Sequence, residues 1–182
     1  MALKSTICKA TLQVADMDRH YYAEHALTIA RHPSETDERM MIRCLAFALN
    51  AGESLEFGKG LSDADEPDLW QRDLTGAIGL WIEVGQPDEK RILRACGRAD
   101  RVLVYAYSHS AALWWKPLAP RLERTRNLTV IAIAAPVSAA LAKLAGRAMD
   151  LQCTLHEGEI WMRDKDSAVQ VEMRTLLAPP AR

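Results

Sequence analysis

Three acidic residues stand where predicted helices and strands would carry their side chains onto covered surfaces. Asp68 opens a short apolar segment, and Glu83 lies near the end of the apolar run at 77–84. Glu38 lies on the apolar side of a predicted helix, one turn before its core residues. Because an isolated buried carboxylate is costly, acids gathered on such surfaces indicate charged partners, protonation or a metal ion.

The chemistry that suits Asp68 and Glu83 is the binding of a divalent cation, Mg²⁺ or Mn²⁺. Mg²⁺ prefers oxygen ligands and often takes one or two carboxylates together with water and substrate phosphate. A cation bound between adjacent strands would polarise a phosphoryl oxygen and lower the pKa of a bound water. The pair therefore predicts metal-dependent hydrolysis of a phosphodiester, with Glu38 assisting through a water or orienting the cluster.

Each acid also has a structural interpretation when it is taken alone. A Pro-Asp pair such as the one at Asp68 is typical of a turn. Glu83 could pair with an arginine or with the start of the following helix. Glu38 could be a first-turn acid that the helix dipole favours.

The N-terminal elements must position Glu38. Residues 4–14 and 20–30 alternate in character around the polar turn ADMDR, which predicts an antiparallel hairpin. Ser34 followed by three residues with two acids is typical of a helix start, and the helix continues to about Asn50. Its apolar stripe places Glu38 toward the core side.

The next elements must position Asp68 and Glu83. An acidic loop is predicted at 52–66, followed by a short segment at 68–73 and a strand at 77–84. The two segments can pair as a hairpin, which would place the two acids on adjacent strands.

Strands and helices alternate through the second half of the chain. Doubly apolar strands are predicted at 77–84, 101–107 and 128–135, with helices at 87–99, 109–124 and 136–150. Such alternation requires crossovers and a parallel arrangement. The segment 151–173 indicates antiparallel strands. The predicted fold is α/β, a single mixed β-sheet with flanking helices and antiparallel N- and C-terminal hairpins.

Length and composition predict one cytoplasmic domain. The 182 residues favour a single domain over 1–182 with a loose tail at about 178–182. The N-terminus lacks a secretory signal pattern, and no apolar run approaches the length of a membrane helix, so no membrane partner is expected. The four cysteines are widely spaced, which fits reduced, buried thiols better than disulfides or a zinc site.

The charge balance limits nucleic-acid binding to a local patch. The net charge is −1, whereas dedicated nucleic-acid binders usually carry a strong basic excess. One group of arginines lies on the predicted helix after Glu83 or just past it: Arg91, Arg94, Arg98 and Arg101. These side chains either contact phosphates or form a solvated helix face.

The order of the acids resembles the PD-(D/E)XK phosphodiesterase superfamily, whose pattern is a helix acid, then Pro-Asp, then a strand ending in acid-x-Lys. Glu38, Pro67-Asp68 and Glu83 match it. The chain resembles the YaeQ family more closely and over nearly its whole length, through VADMDRHYYAEHALTIARHPSETDERMMIRCLAFAL, GLSDADEPDLW, LWIEVGQPDEKRI and ACGRAD. The resemblance implies a variant of the PD-(D/E)XK, restriction endonuclease-like fold.

The chain departs from the superfamily pattern at the lysine, which is Gly85 here. Two nearby residues could supply the missing group. Gln86 follows the strand directly, and Lys90 lies in the first turn of the next helix, roughly opposite its inward stripe.

Two functional hypotheses follow. The first is a metal-dependent phosphodiesterase or nuclease-like protein that uses Asp68 and Glu83 as metal ligands, with Glu38, Gln86 and Lys90 as further catalytic residues. The second is a non-catalytic regulator or adaptor linked to transcription or repair, which reuses the fold to bind a protein or nucleic acid. The glycine in place of lysine and the acidic loop favour the second.

Overall fold

The computed structural model describes residues 4–181, and within them the chain forms eleven strands and four α-helices. The strands are β1 (Thr6–Asp16), β2 (Tyr21–Arg31), β3 (Leu55–Phe57), β4 (Leu69–Arg72), β5 (Ile78–Val84), β6 (Ala99–Tyr107), β7 (Leu128–Ile133), β8 (Ala148–His156), β9 (Glu159–Arg163), β10 (Ala168–Gln170) and β11 (Met173–Leu177). The helices are α1 (Asp37–Leu49), α2 (Glu89–Arg98), α3 (Ala111–Leu122) and α4 (Ala135–Ala142).

The strands form two sheets, so the predicted single sheet is wrong. The chain divides into two compact units, one made of residues up to Ala51 with Pro136–Glu172, the other of Gly52–Ala135 with the residues from Met173 onward. Both sheets are mixed, and the overall class is α/β as predicted. The split follows from a long-range pairing, because β8 joins β1 rather than the parallel strands that precede it in the chain.

The first unit contains a sheet in the order β10-β9-β8-β1-β2. β1 and β2 form the antiparallel hairpin predicted from the alternating residues, with Thr6 opposite Arg31. β8 then runs parallel to β1, and β9 returns antiparallel to it. β8 begins at Ala148, inside the stretch that sequence periodicity assigned to a helix, because its backbone pairs with Lys9 of β1.

The second unit contains a sheet in the order β11-β7-β6-β5-β4-β3. β5, β6 and β7 are parallel and are joined by α2 and α3, which confirms the predicted crossovers. β4 pairs antiparallel with β5, which confirms the predicted hairpin. The core between the sheet and its helices contains Trp70, Trp81, Ile92, Trp115 and Leu122.

Two helices, α1 and α2, begin at polar caps whose side chains accept a backbone hydrogen bond. α1 starts two residues later than predicted, since Thr36 rather than Ser34 accepts a hydrogen bond from the Arg39 amide. The Ser34 hydroxyl is instead hydrogen-bonded to His32. Among residues 4–181, no helix is long and apolar enough to cross a membrane.

A buried ion-pair network ties α1 to the loop before it. One oxygen of Glu35 accepts hydrogen bonds from the Arg43 guanidinium, at 2.6 and 3.1 Å. The other accepts from Arg39 at 3.1 Å. Both Glu35 and Arg43 are at most 5% exposed. Each charge is therefore stabilised by its hydrogen-bonded partner instead of by water. The sequence pattern predicted Glu35 as an acid in the first turn of the helix.

The replacement Glu35→Gln will lower the free energy of unfolding by about 3–5 kcal/mol, because it leaves the Arg43 charge buried without its carboxylate. Urea unfolding measures the change. The control Glu56→Gln breaks an exposed ion pair with Arg72 at 3.6 Å and should cost less than about 1 kcal/mol. Equal losses in the two variants would contradict a structural role for Glu35.

Candidate active site

The pairing of β4 with β5 brings Asp68 and Glu83 together. Leu69 lies opposite Ile82, so the preceding residue, Asp68, lies beside Glu83. The Asp68 amide donates a hydrogen bond to the Ile82 carbonyl at 3.1 Å. The Val84 amide in turn donates to the Asp68 carboxylate at 2.8 Å. These bonds hold the Asp68 side chain against the end of β5.

Two glycines cover Asp68 from the loop before it. Asp68 is 1% exposed. The Gly58 amide donates to the Asp68 carbonyl at 3.0 Å, and the Gly60 amide donates to the Pro67 carbonyl at 3.1 Å. Gly60 has φ +49°, and a Cβ there would lie 2.5 Å from Oδ1 of Asp68. The close packing of this loop therefore requires glycine at position 60.

Glu83 is buried and bonded to two donors on its own side of the sheet. Its Oε1 accepts hydrogen bonds from Nε1 of Trp81 at 2.8 Å and from Nε of Arg91 at 2.9 Å. Only 4% of the residue is exposed. The bond to Trp81 fits strand alternation, which places residues two apart on the same face.

Burial raises the pKa of Glu83 above its ordinary value, and the nearby charge of Asp68 raises it further. The hydrogen bond and positive charge of Arg91 and the hydrogen bond from Trp81 oppose this shift without cancelling it. Glu83 therefore ionises less readily than a free glutamate, even with the guanidinium of Arg91 beside it.

Arg91 is the cation bonded to Glu83, whereas the sequence pattern placed it only among four arginines that could contact phosphates. Its Nε binds Glu83, while its two terminal nitrogens donate to the carbonyls of Ala64 at 2.8 Å and Glu66 at 3.0 Å. The cap of α2 helps to place it, because Asp88 accepts a hydrogen bond from the Arg91 amide at 2.8 Å. An N-cap aspartate three residues before an arginine, as at Asp88, was the sequence signal that could have indicated the position of Arg91.

Position 85, where the PD-(D/E)XK pattern would have a lysine, has a backbone that disfavours that residue. Gly85 has φ +111°, a conformation that L side chains rarely adopt, although a Cβ there would meet no atom within 4 Å. The side-chain amide of Gln86 donates a hydrogen bond to the Ser110 hydroxyl at 2.7 Å. Lys90 is exposed, as its place on the helical wheel predicted.

Glu38 belongs to the first unit. Its side chain is half-buried, and its carboxylate accepts a hydrogen bond of 3.0 Å from the buried Ser138 hydroxyl. Ser138 lies on α4, so this bond links α1 to α4. The bonds described for Asp68 and Glu83 come from the second unit alone.

The donor chemistry of Asp68 and Glu83 fits a hard divalent cation. Both residues offer carboxylate oxygens, and Mg²⁺ often takes only one or two carboxylates from a protein, with water and substrate phosphate completing its shell. No group of three or more His, Cys, Asp or Glu side chains in the described part of the chain is arranged to hold a metal ion.

The replacement Gly60→Ala will destabilise the protein more than Gly76→Ala does. Both glycines have positive φ, at +49° and +87°, so alanine carries backbone strain of about 1–2 kcal/mol at either site. Only at Gly60 does the new Cβ meet Asp68; at Gly76 it meets nothing within 4 Å. Chemical denaturation should show an excess loss of about 1–3 kcal/mol for Gly60→Ala. Equal losses would contradict the packing of this loop on Asp68.

The stability of the wild-type protein will fall relative to Glu83→Gln as pH rises above the ordinary glutamate pKa of 4.5. The raised pKa means that the folded protein binds this proton more tightly than the unfolded chain. The resulting stabilisation is complete below 4.5 and is lost as pH rises through the folded-state pKa. Urea unfolding between about pH 4 and about pH 8, with a chelator present, measures the difference.

Asp68→Asn supplies the control for this titration. It removes the charge that raises the pKa of Glu83. The loss of stability with rising pH that Glu83 causes should therefore be smaller in Asp68→Asn than in the wild type. Its amide oxygen can still accept the hydrogen bond from the Val84 amide. A stability difference between wild type and Glu83→Gln that stays constant with pH would show that Glu83 does not titrate as described.

The chain resembles known bacterial proteins over nearly its whole length. The family model named YaeQ protein matches residues 1–173. The chain is 44% identical to YaeQ from Salmonella typhi and 43% identical to YaeQ from Escherichia coli K12. Each match covers 98% of this chain and 99% of the relative.

Two crystal structures share the fold described above. The YaeQ protein from Xanthomonas axonopodis pv. citri superposes with a TM-score of 0.92 at 48% identity, over 96% of this chain and 99% of that one. YaeQ from Pseudomonas syringae also gives 0.92, at 37% identity, over 96% and 97%. The chain belongs to the YaeQ family.

Proposed function

We propose that the chain is a metal-dependent phosphodiesterase that acts on nucleic acid in the cytoplasm, on a variant of the PD-(D/E)XK nuclease-like fold. The observation that supports this most is the buried pair of carboxylates, Asp68 and Glu83, on neighbouring strands. The four cysteines are all free thiols, which supports the cytoplasmic part of the proposal.

The charge of the pair supports a cation site. Two carboxylates lie close enough for Asp68 to raise the pKa of Glu83, and one guanidinium, that of Arg91, bonds to Glu83. A divalent cation would offset the remaining negative charge. It would supply Lewis-acid polarisation of a phosphoryl oxygen and a water of lowered pKa.

The protein residues have separate roles in this proposal. Asp68 and Glu83 would hold Mg²⁺ or Mn²⁺, and Arg91 would keep the Glu83 carboxylate oriented through its Nε–H. Gln86 and Lys90 stay the predicted replacements for the lysine. Lys90 is exposed, so it is accessible to a substrate phosphate. Gln86 would first have to leave its bond to Ser110.

Metal titration and cleavage assays test the proposal. Calorimetry with Mg²⁺ and Mn²⁺ should show binding to the wild type and to the exposed control Glu53→Gln, but not to Asp68→Asn/Glu83→Gln. Cleavage of labelled single- and double-stranded DNA and RNA should require the metal and fall by at least about 100-fold in either single variant.

Folded variants are needed to interpret these assays, and circular dichroism would establish that each variant retains its secondary structure. Cleavage that survives both Asp68→Asn and Glu83→Gln would rule out the assigned site. The absence of both metal binding and cleavage in the wild type would favour the second candidate function.

The second candidate is a non-catalytic regulator or adaptor, linked to transcription or repair, that reuses the fold. Three observations favour it. Gly85 replaces the lysine, the two carboxylates are at most 4% exposed, and Arg91 is engaged by three protein acceptors. A defined complex with a protein partner that forms equally well with Asp68→Asn/Glu83→Gln, together with the absence of cleavage, would support this function.

A further inference from the structure

Three arginines on one side of α2 all bind the same short acidic segment. Arg91, Arg94 and Arg98 are three and four residues apart, a spacing that places them along one helix face. The segment, Asp63–Glu66, is termed the acidic strap here. It lies outside the α-helices and strands, in the loop between β3 and β4.

The strap meets these arginines with oxygen atoms only. Arg91 donates to the carbonyls of Ala64 and Glu66, at 2.8 and 3.0 Å. Arg98 donates to the carbonyl of Asp65 at 3.0 Å, and Arg94 forms an ion pair with the Asp65 carboxylate. Closely spaced oxygen acceptors with negative charge are also what a phosphodiester backbone presents to arginine.

Two of the arginines have anchors that do not depend on the strap. Arg91 is bonded to Glu83 at 2.9 Å. The guanidinium carbon of Arg98 lies over the Trp81 ring, 5.0 Å from its centroid. Removal of the strap would therefore leave both side chains held at the surface of α2, as a preformed anion site requires.

The ion pair that links the strap to α2 is exposed to solvent. The side chains of Arg94 and Asp65 are 54% and 67% exposed. Such exposed pairs contribute little to stability and are screened by salt. Glu66 accepts a hydrogen bond from the Lys59 amide at 2.9 Å, which ties the end of the strap to the loop that precedes it. The charged pair therefore adds little to the free energy that holds the strap against α2, and the other contacts are three hydrogen bonds from Arg91 and Arg98 to backbone carbonyls.

We propose that the α2 arginine face, Arg91, Arg94 and Arg98, binds the phosphodiester backbone of nucleic acid, and that the acidic strap competes for it within the same chain. The inference rests on the proposed function for its ligand class. The strap places three carboxylates, those of Asp63, Asp65 and Glu66, on the segment that binds the three arginines, and Asp65 pairs directly with Arg94. Nucleic acid binds this face when its phosphates replace the strap.

Asp65→Asn tests the competition, because it removes the charge that pairs with Arg94. Fluorescence anisotropy would follow the binding of labelled oligonucleotides of about 16 nucleotides, as single-stranded DNA, double-stranded DNA and RNA. A chelator excludes metal-dependent cleavage from the measurement. We expect the variant to bind at least about tenfold more tightly than wild type at low salt.

The salt dependence identifies the residues that make the new contacts. Each arginine that gains a phosphate on a single strand steepens the plot of log K against log salt by about 0.7. Adding Arg94→Gln and Arg98→Gln to Asp65→Asn should remove both the tighter binding and the steeper slope. Tight binding that survives these two changes would overturn the assignment of the face.

Glu89→Gln is the matched control. It makes the same change in net charge and frees Arg121 from an ion pair at 2.9 Å, without touching the strap. Equal tightening in Glu89→Gln, or no tightening in Asp65→Asn, would overturn the proposal. Tightening in the chelator with no cleavage in metal would leave this inference standing and remove the proposed catalysis. Cleavage in metal with no tightening in the chelator would overturn this inference and leave the proposed catalysis standing.

Discussion

The hydrogen-bonded ion pair between Glu83 and Arg91 is the interaction on which the second unit depends. A buried carboxylate without a partner would be costly, and Glu83 lies beside a second carboxylate, that of Asp68. Arg91 reduces that cost from α2, and its remaining nitrogens bind the carbonyls of Ala64 and Glu66. One guanidinium therefore connects the sheet, the helix that follows it and the loop that precedes it.

An arginine on a helix can do what a lysine at position 85 could not. Lysine there would have to adopt the backbone of Gly85, with φ +111°. A lysine ammonium is also a compact point charge, whereas a guanidinium presents five donors in a planar fork. That fork lets Arg91 bind a carboxylate and two carbonyls at once. Arg91 thus combines an ion pair to Glu83 with restraint of the acidic strap.

The parts of the fold that depend on local pattern were predictable, and those that depend on distant pairing were not. Alternation gave the hairpin of β1 and β2, and the apolar runs gave the parallel strands β5, β6 and β7. The division into two sheets depends on the parallel pairing of β1 with β8, in which Lys9 lies opposite Ala148, and no local sequence pattern indicates that pairing. That Asp68 and Glu83 lie on neighbouring strands was predictable from the hairpin of their two segments. That Arg91 bonds to Glu83 was not, since the direction of its side chain depends on how α2 packs.

Net charge alone does not indicate whether this chain binds nucleic acid. The sum of −1 counts the arginines of α2 together with acids that lie directly against them. Binding depends on the potential at one surface, which falls off within about 8–10 Å at ordinary salt. If a mobile acidic segment neutralises that surface, the composition stays balanced in both states while the local potential differs. A near-neutral sequence is therefore compatible with a phosphate-binding face, provided that the opposing charge lies on a segment that can separate from it.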